Sequence, residues 1–511
     1  MKKTAPNEES ELDLLSRIDP KGIADESTRR TVEILLNVIE RLSQRVQVVE
    51  LENQQLRDEN NRLKGEQGKP DIKANKKKGF NNQSSEKERH VSKEHVKGRK
   101  KENITIDREE ILEYPAEHLP ADAEFKGYEE VVVQDLKIVS DNVLFLKEKY
   151  YSPSEKKTYL APLPAGYSGA FGPGIKTLVL SLYYGGNMTQ GKLLEFLADL
   201  DIRVSAGYLS NLLIKTQGDF EEERNKVYRA GLSSSPWHNF DQTAARVGGV
   251  NHTTNVLCNP LYTIYWTTPS KDRLSVLQCL QNSSELEFVL NEETFSLLSS
   301  FGLPKKWHDA LTQLPQETAW NREQFDALLA TALPNLGSQQ RSRILEAAAI
   351  AFYHQQRVWP VIHTLVCDDA PQFKLITKAL MLCWVHEGRH YKKLTPVVAY
   401  HQAVLEEFLD EFWDYYRDLR AYQEAPSEGA ANILRAEFFK LFNSVSGYQE
   451  LDERKRLTAA KVVELLPVLA HPELPLHNNA AELAARTMVQ RRNISYATQT
   501  TEGTKIGRAH V

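Results

Sequence analysis

Apolar residues recur at heptad spacing from Val32 to Leu63. One seam holds Val32, Ile39, Val46, Asn53 and Asn60; the other holds Leu35, Leu42, Val49, Leu56 and Leu63. β-Branched residues on the first seam and leucines on the second favour a two-stranded parallel coil, and a buried Asn sets its register. Across two chains, Arg45 would meet Glu50, Glu52 would meet Arg57 and Glu59 would meet Lys64, all of opposite sign. The pattern predicts a parallel coiled coil over 29–66 and a homodimer, after a disordered polar segment at 1–28. The other reading is an amphipathic helix folded onto the body of its own chain.

Beyond the heptads the apolar pattern stops and later resumes with strand periodicity. The stretch 67–103 reads as a linker, and within it residues 69–101 hold twelve Lys or Arg against four acids, including Lys76, Lys77 and Lys78. Such a segment cannot bury a core, and its charge suits DNA phosphates, which it would grip without reading sequence. A small β-rich module is expected over 104–165, with strands at Val131–Val133, Leu136–Val139 and Val143–Leu146. A helix-turn-helix is expected within 166–230. Gly174–Tyr184 is an apolar helix, Gly185-Gly186-Asn187 breaks it, Thr189–Asp199 is the second helix, and Ser205 caps a third over Ala206–Thr216. The third helix would present Tyr208, Asn211 and Lys215 to a DNA major groove.

The remainder, 231–500, alternates strands and helices. Pro236–Asp241 reads as a strand ending in an acid, and Val250–Cys258 and Leu261–Thr268 as two more strands. Lys271–Leu280 is helical. Val361–Cys367 is a near-continuous apolar run, the mark of a buried central strand, and Asp368-Asp369 closes it; Ala379–Trp384 is another. Helical insertions are expected at about 282–358 and 397–470. Three strands, a helix, a strand, a connection, a strand and final helices is the order of a ribonuclease-H-like mixed sheet with helices on both faces. The fold class is therefore multidomain α/β: a coiled coil, a helix-turn-helix and that sheet.

Composition narrows the function. The 511 residues carry 64 Lys and Arg against 69 Asp and Glu, a net charge of −5 that conceals the basic block. Four cysteines without C-x-x-C spacing argue against a zinc site and a disulfide framework, and fit a reducing cytosol. Neither a signal peptide nor a membrane-length apolar run is present, so a cytoplasmic, nucleoid-associated protein is expected.

Near the end of the chain, Leu476-His477-Asn478-Asn479-Ala480-Ala481-Glu482 reads as a loop running into an alanine-rich helix, with Asn as a usable N-cap. The helix is apolar enough to be packed, so Glu482 would face the interior or a cleft and need a partner. In a ribonuclease-H-like sheet an acid on the first strand, Asp241, and one at the end of the fourth, Asp368, lie side by side, and an acid on a late helix closes on them. Three carboxylates repel unless cations sit among them, which implies two Mg²⁺, with Mn²⁺ as a substitute.

These residues carry a resemblance. Phe240-Asp241-Gln242-Thr243, Val366-Cys367-Asp368-Asp369, Leu382-Cys383-Trp384-Val385-His386 and His477-Asn478-Asn479-Ala480-Ala481-Glu482 resemble the signature blocks of the insertion-sequence-66 transposase family. The resemblance spans the helix-turn-helix and nearly all of 236–500. It implies a DDE-type transposase that binds transposon terminal inverted repeats, cleaves strands and joins the freed 3′-hydroxyls to target DNA. It assigns Asp241, Asp368 and Glu482 as catalytic and metal-binding residues. It also leaves accessory proteins of the same element as candidate partners. The chain departs from the family pattern where Gln242 replaces a usual Glu, His477 a usual Asp and Asp369 a common glycine. Residues 104–164 lack the cysteines of a zinc module usual there.

Arg486, Arg491 and Arg492 follow Glu482 closely and suit phosphates near the scissile bond. His386 and His390, with Arg389, Lys392 and Lys393 beside them, fit packing or DNA contact at the active site better than zinc. Ile506–Val511 matches the translation of a common sequencing-library adapter, so 505–511 is expected to be an adapter-derived tail. The runner-up function is a catalytically inactive or truncated transposase relative acting as a dimeric DNA-binding protein.

Overall fold

The computed structural model describes residues 15, 17–63, 105–120, 122–167, 169–215, 218–496, 498–500, 503–504 and 509–510. Lys76, Lys77 and Lys78, with the rest of the basic block, lie outside the described residues, as does most of 505–511. The chain falls into two units, residues 85–209 and the remainder.

The heptad stretch forms one helix, α1 (Glu26–Leu63), started by Asp25, whose carboxylate accepts from the Thr28 amide at 2.7 Å. Its first turns differ from the coiled-coil expectation. Val32, Leu36 and Ile39 pack onto the helical body of the same chain, and Leu36 is only 1% exposed. Leu36 lies on neither seam, so a stripe at i, i+4, i+7 and i+8 makes this contact, ending in Glu40. The buried Glu40 carboxylate accepts from the Val397 and Val398 amides at 2.6 and 2.8 Å and faces His401 Nδ1 at 3.1 Å. Beyond it Leu42, Val46, Val49, Leu56 and Leu63 are exposed.

In the 85–209 unit, β1 (Lys149–Ser152) and β2 (Lys157–Leu160) form an antiparallel hairpin. The strands expected at 131–146 are not formed: the segment has no regular structure, and Val131, Leu136, Leu144 and Leu146 are exposed. Short apolar runs need a second layer to bury them, and no described residues supply one over these. The three helices expected after them are present as α2 (Pro173–Leu180), α3 (Gln190–Asp199) and α4 (Ala206–Ile214); a π-helical turn, Ser181–Gly185, extends α2. Thr189 caps α3, and Ser205 caps α4 by accepting from the Tyr208 amide at 3.1 Å. Leu209 and Ser210, within α4, mark the boundary between the units.

The other unit continues with α5 (Gly218–Ser233), then β3 (Trp237–Val247), β4 (Val250–Asn259) and β5 (Tyr262–Thr268). Strand β3 does not end at Asp241 as expected. It runs on to Val247 because Gly248 and Gly249, at φ 55° and 81°, make a two-residue hairpin turn into β4. Helix α6 (Arg273–Leu280) follows, capped by Asp272. The stretch to residue 358 adds β6 (Glu287–Val289), α7 (Glu292–Ser300), α8 (Lys305–Leu311), β7 (Ala319–Asn321), α9 (Arg322–Ala332) and the buried alanine-rich α10 (Ser338–Gln355), with β6 and β7 paired as a separate ribbon. Then come β8 (Thr364–Cys367), β9 (Ala379–Leu382), α11 (Trp384–Lys392), α12 (Ala399–Glu424), α13 (Glu428–Asn443), α14 (Gln449–Ala459), α15 (Val462–Leu465), α16 (Asn479–Ser495) and β10 (Ala509–His510). Among the described residues no helix is long and apolar enough to cross a membrane.

The six-stranded sheet has the order β10-β5-β4-β3-β8-β9; β3 pairs antiparallel with β4 and parallel with β8. Side chains alternate across it. Phe240, Leu257, Ile264, Leu365 and Cys367 bury into a core with α6 and α10. Val366 and Met381 bury on the opposite face with α11 to α14, and Val256 and Tyr265 bury there against Ala485 of α16. By this alternation Asp241 and Asp368 belong to the α16 face.

Candidate active site

The parallel register of β3 on β8 brings the first two acids together. Trp237, His238 and Asn239 lie beside Thr364, Leu365 and Val366. Continued two residues further, that register points Asp241 toward Asp368, and the two carboxylates act on one another. Burial pushes the Asp241 carboxyl up to about 6, and the Asp368 and Glu482 carboxylates add to it against the Gln242 amide and Lys271. All three acids predicted from sequence therefore act electrostatically at one place.

Helix α16 reaches this place because its alanines allow close approach. Ala481 and Ala485, one turn apart, are buried, and the Ala484 carbonyl accepts from Tyr265 Oη at 3.0 Å. Its start is pinned by Asn478, which is 1% exposed. Asn478 stands at the N-cap, but its side chain makes no capping bond. It donates instead to the Phe240 carbonyl at 2.7 Å and accepts from Asn239 Nδ2 at 2.9 Å, and its own amide donates to Cys383 Sγ at 3.2 Å. One side chain thus ties the helix bearing Glu482 to the strand bearing Asp241.

Glu482 is held on its other side by α11. Arg389 Nη2 reaches Glu482 Oε2 at 3.2 Å, and Arg389 Nη1 lies 2.8 Å from His386 Nε2. Arginine can only donate, so Nε2 accepts, and a neutral His386 ring carries its proton on Nδ1, 3.6 Å from Glu482 Oε1. Burial, reinforced by Arg389, outweighs Glu482 and keeps the His386 pKa below its ordinary value.

The adjacent acid Asp369 is otherwise engaged. It pairs with Lys374 at 3.0 Å and with Lys461 at 2.6 Å, and against its burial the two lysines lower its pKa. Lys461 also reaches the buried Glu387 at 3.1 Å, and Arg454 and Thr458 complete that network. Asp369 therefore braces the site, while Asp368 bonds only to the Ala370 amide, at 3.2 Å, among the described hydrogen bonds.

The donor set fits a hard divalent cation. Asp241 and Asp368 offer carboxylate oxygens that repel one another without a cation between them. Cys383, His386 and Glu482 also lie close enough to share a metal. The Cys383 thiol, however, is pushed up to about 12 by burial and accepts a backbone N–H, so it stays protonated and does not suit zinc.

The other sequence-predicted residues fare differently. Arg492 is spent on structure, donating to the Ala244 carbonyl and to Thr243 Oγ1. Arg486 and Arg491 are half-buried on α16. In α4, Asn211 and Lys215 are exposed, while Tyr208 is partly covered, its ring 4.7 Å from that of Phe171. Gln242 donates to Asn255 at 2.6 Å and accepts from Gln372 at 2.8 Å, a pair of roles an amide fills and a carboxylate does not. Sequence reading missed the bridging role of Asn478 and the grip of Arg389. The signals were present: an Asn ahead of a buried helix, and an Arg three residues after His386.

Residues 346–506, which contain Asp368 and Glu482, match the model of the Transposase IS66 family. An uncharacterized protein of Sinorhizobium fredii, y4jO, is 30% identical over 279 residues, which make up 54% of this chain and 85% of that protein.

Proposed function

Since the chain belongs to the Transposase IS66 family, we propose that it is a DDE-type DNA transposase with a ribonuclease-H-like core, in which Asp241, Asp368 and Glu482 hold two divalent cations, Mg²⁺ or Mn²⁺. The observation that carries this reading is the β3–β8 register that sets Asp241 against Asp368 on the face covered by the Glu482 helix. The strand order β5-β4-β3-β8-β9 supports the core assignment. When bound, two such ions clamp the attacking and leaving oxygens of an in-line phosphoryl transfer. The chain's own part is positioning. Asn478 fixes α16 against β3, Arg389 and His386 orient Glu482, and Lys374 and Lys461 keep Asp369 from competing with Asp368.

The same reading gives the remaining parts their work. Helices α2 to α4 form a helix-turn-helix that binds transposon ends, with Asn211 and Lys215 exposed for the groove and Tyr208 partly committed to Phe171. The exposed seam of α1 beyond Glu40 pairs two copies in a parallel coil, and Lys76, Lys77 and Lys78 grip phosphates.

Strand cleavage and joining on labelled transposon-end DNA with Mg²⁺ or Mn²⁺ tests the proposal. Joining that Glu482→Ala abolishes, with DNA binding kept, is the expected result. Binding without chemistry in the unaltered protein overturns it in favour of an inactive dimeric DNA-binding relative.

A further inference from the structure

Helix α11 has two faces with opposite fates. Trp384, Val385, Gly388 and Tyr391 are buried in the helical core, and Glu387 in its charged network. Gly388 lies so close to its neighbours that a Cβ there would meet Phe412 and Trp413 at 3.0 Å. The helix is therefore a fixed platform, and the residues it turns outward hold their direction. These are His386, Arg389, His390 and Lys393, at i, i+3, i+4 and i+7, a spacing that sets them on one side of a helix.

All four line an open cleft of about 600 Å³, and Asp368 and Asp369 form another part of its wall. The cleft's charge is not balanced within itself. Asp369 is neutralised by Lys374 and Lys461, which approach from outside the cleft lining. Arg389 is shared with Glu482, whereas the exposed Lys393 makes no ion pair among the described residues. Two of the four, Arg389 and Lys393, are fixed cations, and burial keeps His386 and His390 below their ordinary pKa, so a pair of positive charges one turn apart lines the way from open solvent to Asp368.

We propose that this face of α11 is the seat for the phosphodiester backbone of the DNA strand that reacts. Lys393 and Arg389 bind successive phosphates and deliver the scissile one to Asp241 and Asp368. The proposal rests on the transposase reading for its choice of ligand. Its chemistry is that of a polyanion on a spaced cationic pair, where each phosphate neutralised releases counterions and binding weakens with salt. Arg389 adds geometry, because each terminal nitrogen of its planar fork carries a second N–H beyond the ones directed at Glu482 and His386, and those can reach a phosphate oxygen.

The test uses the full chain in chelator, so that only binding is read, with fluorescein-labelled oligothymidylate as the probe. Lys393→Ala is expected to reduce the slope of log K against log salt by about 1, and Lys393→Ala with Arg389→Ala by more. Lys440→Ala, on α13 and outside the cleft lining, is the control and keeps the wild-type slope. A benzophenone-labelled Lys393→Cys variant is expected to crosslink the strand on illumination, and a labelled Lys440→Cys variant is not. Wild-type slopes in both α11 variants, with no crosslink from position 393, overturn the proposal. Failure of the transposase reading shows separately, as absence of metal-dependent cleavage in the unaltered protein whatever the binding data give.

Discussion

At neutral pH Asp241 is an acid that burial and its carboxylate neighbours hold against ionisation. Its carboxyl is pushed from 3.8 to about 6 by burial, with Asp368 and Glu482 adding to the shift. A raised pKa means that the fold prefers the protonated acid. The favourable contribution is full below 3.8 and is lost as pH rises through about 6, so at neutral pH the metal-free protein carries an ionised buried acid at a cost. Asp241→Asn should therefore stabilise the metal-free protein above pH 6, by on the order of 2 kcal/mol, while abolishing strand cleavage. Chemical denaturation in chelator at pH 5 and pH 8 checks this: the variant's advantage should be larger at pH 8. An equal advantage at both, or none, would show that Asp241 is not strained in this way. The acids themselves were readable from sequence, since each interrupts or closes an apolar run. The resemblance pointed to Asp368, but the engagement of Asp369 was not readable from local pattern, because it rests on Lys374 and on Lys461, 92 residues beyond it.

At the scale of elements, the site depends on how α16 meets β3. Asn478 satisfies the Phe240 carbonyl and the Asn239 amide from a position where no water reaches it. Asn478→Ala leaves both buried groups unmatched and should cost about 2–4 kcal/mol. Cleavage should fall further than stability alone explains, because Glu482 loses its register with Asp241. Comparing unfolding midpoints with cleavage rates at a temperature where the variant is fully folded measures this; an unchanged rate would remove Asn478 from the positioning role. Its bridge joins residues 239 apart in the chain, so local patterning marked the Asn ahead of a buried helix but not the partner it reaches. Other differences are physical in the same way. Strand β3 outruns its acid because two glycines make a tight turn possible. The short apolar runs at 131–146 read as strands yet form none, because a run of apolar residues records a surface to be covered and not whether anything covers it.

At the scale of the whole molecule, α1 serves two ends. Its first turns are committed to the chain's own body through Leu36 and the buried Glu40. Its later turns hold Leu42, Val46, Val49, Leu56 and Leu63 exposed, a seam that no other described residue covers. The first turns follow the alternative reading, a helix folded onto its own body, but the docking residues were not legible, since Leu36 and Glu40 fall off the heptad seams. The double variant Leu42→Glu with Leu56→Glu is expected to turn a dimer into a monomer in sedimentation velocity, with the far-ultraviolet spectrum of the body kept. A dimer that survives both charges would move the interface away from α1.

Metal binding bears most directly on the central claim, that Asp241, Asp368 and Glu482 form one divalent-cation site. Mn²⁺ bound to the full chain at pH 8, followed by electron paramagnetic resonance, should be weakened at least roughly tenfold by Asp241→Asn, Asp368→Asn and Glu482→Gln taken singly. It should persist in Asp369→Asn and fade in the unaltered protein as pH falls below about 6, where Asp241 holds its proton against the metal. Mn²⁺ bound equally well by all three triad variants, or lost only in Asp369→Asn, would contradict the account.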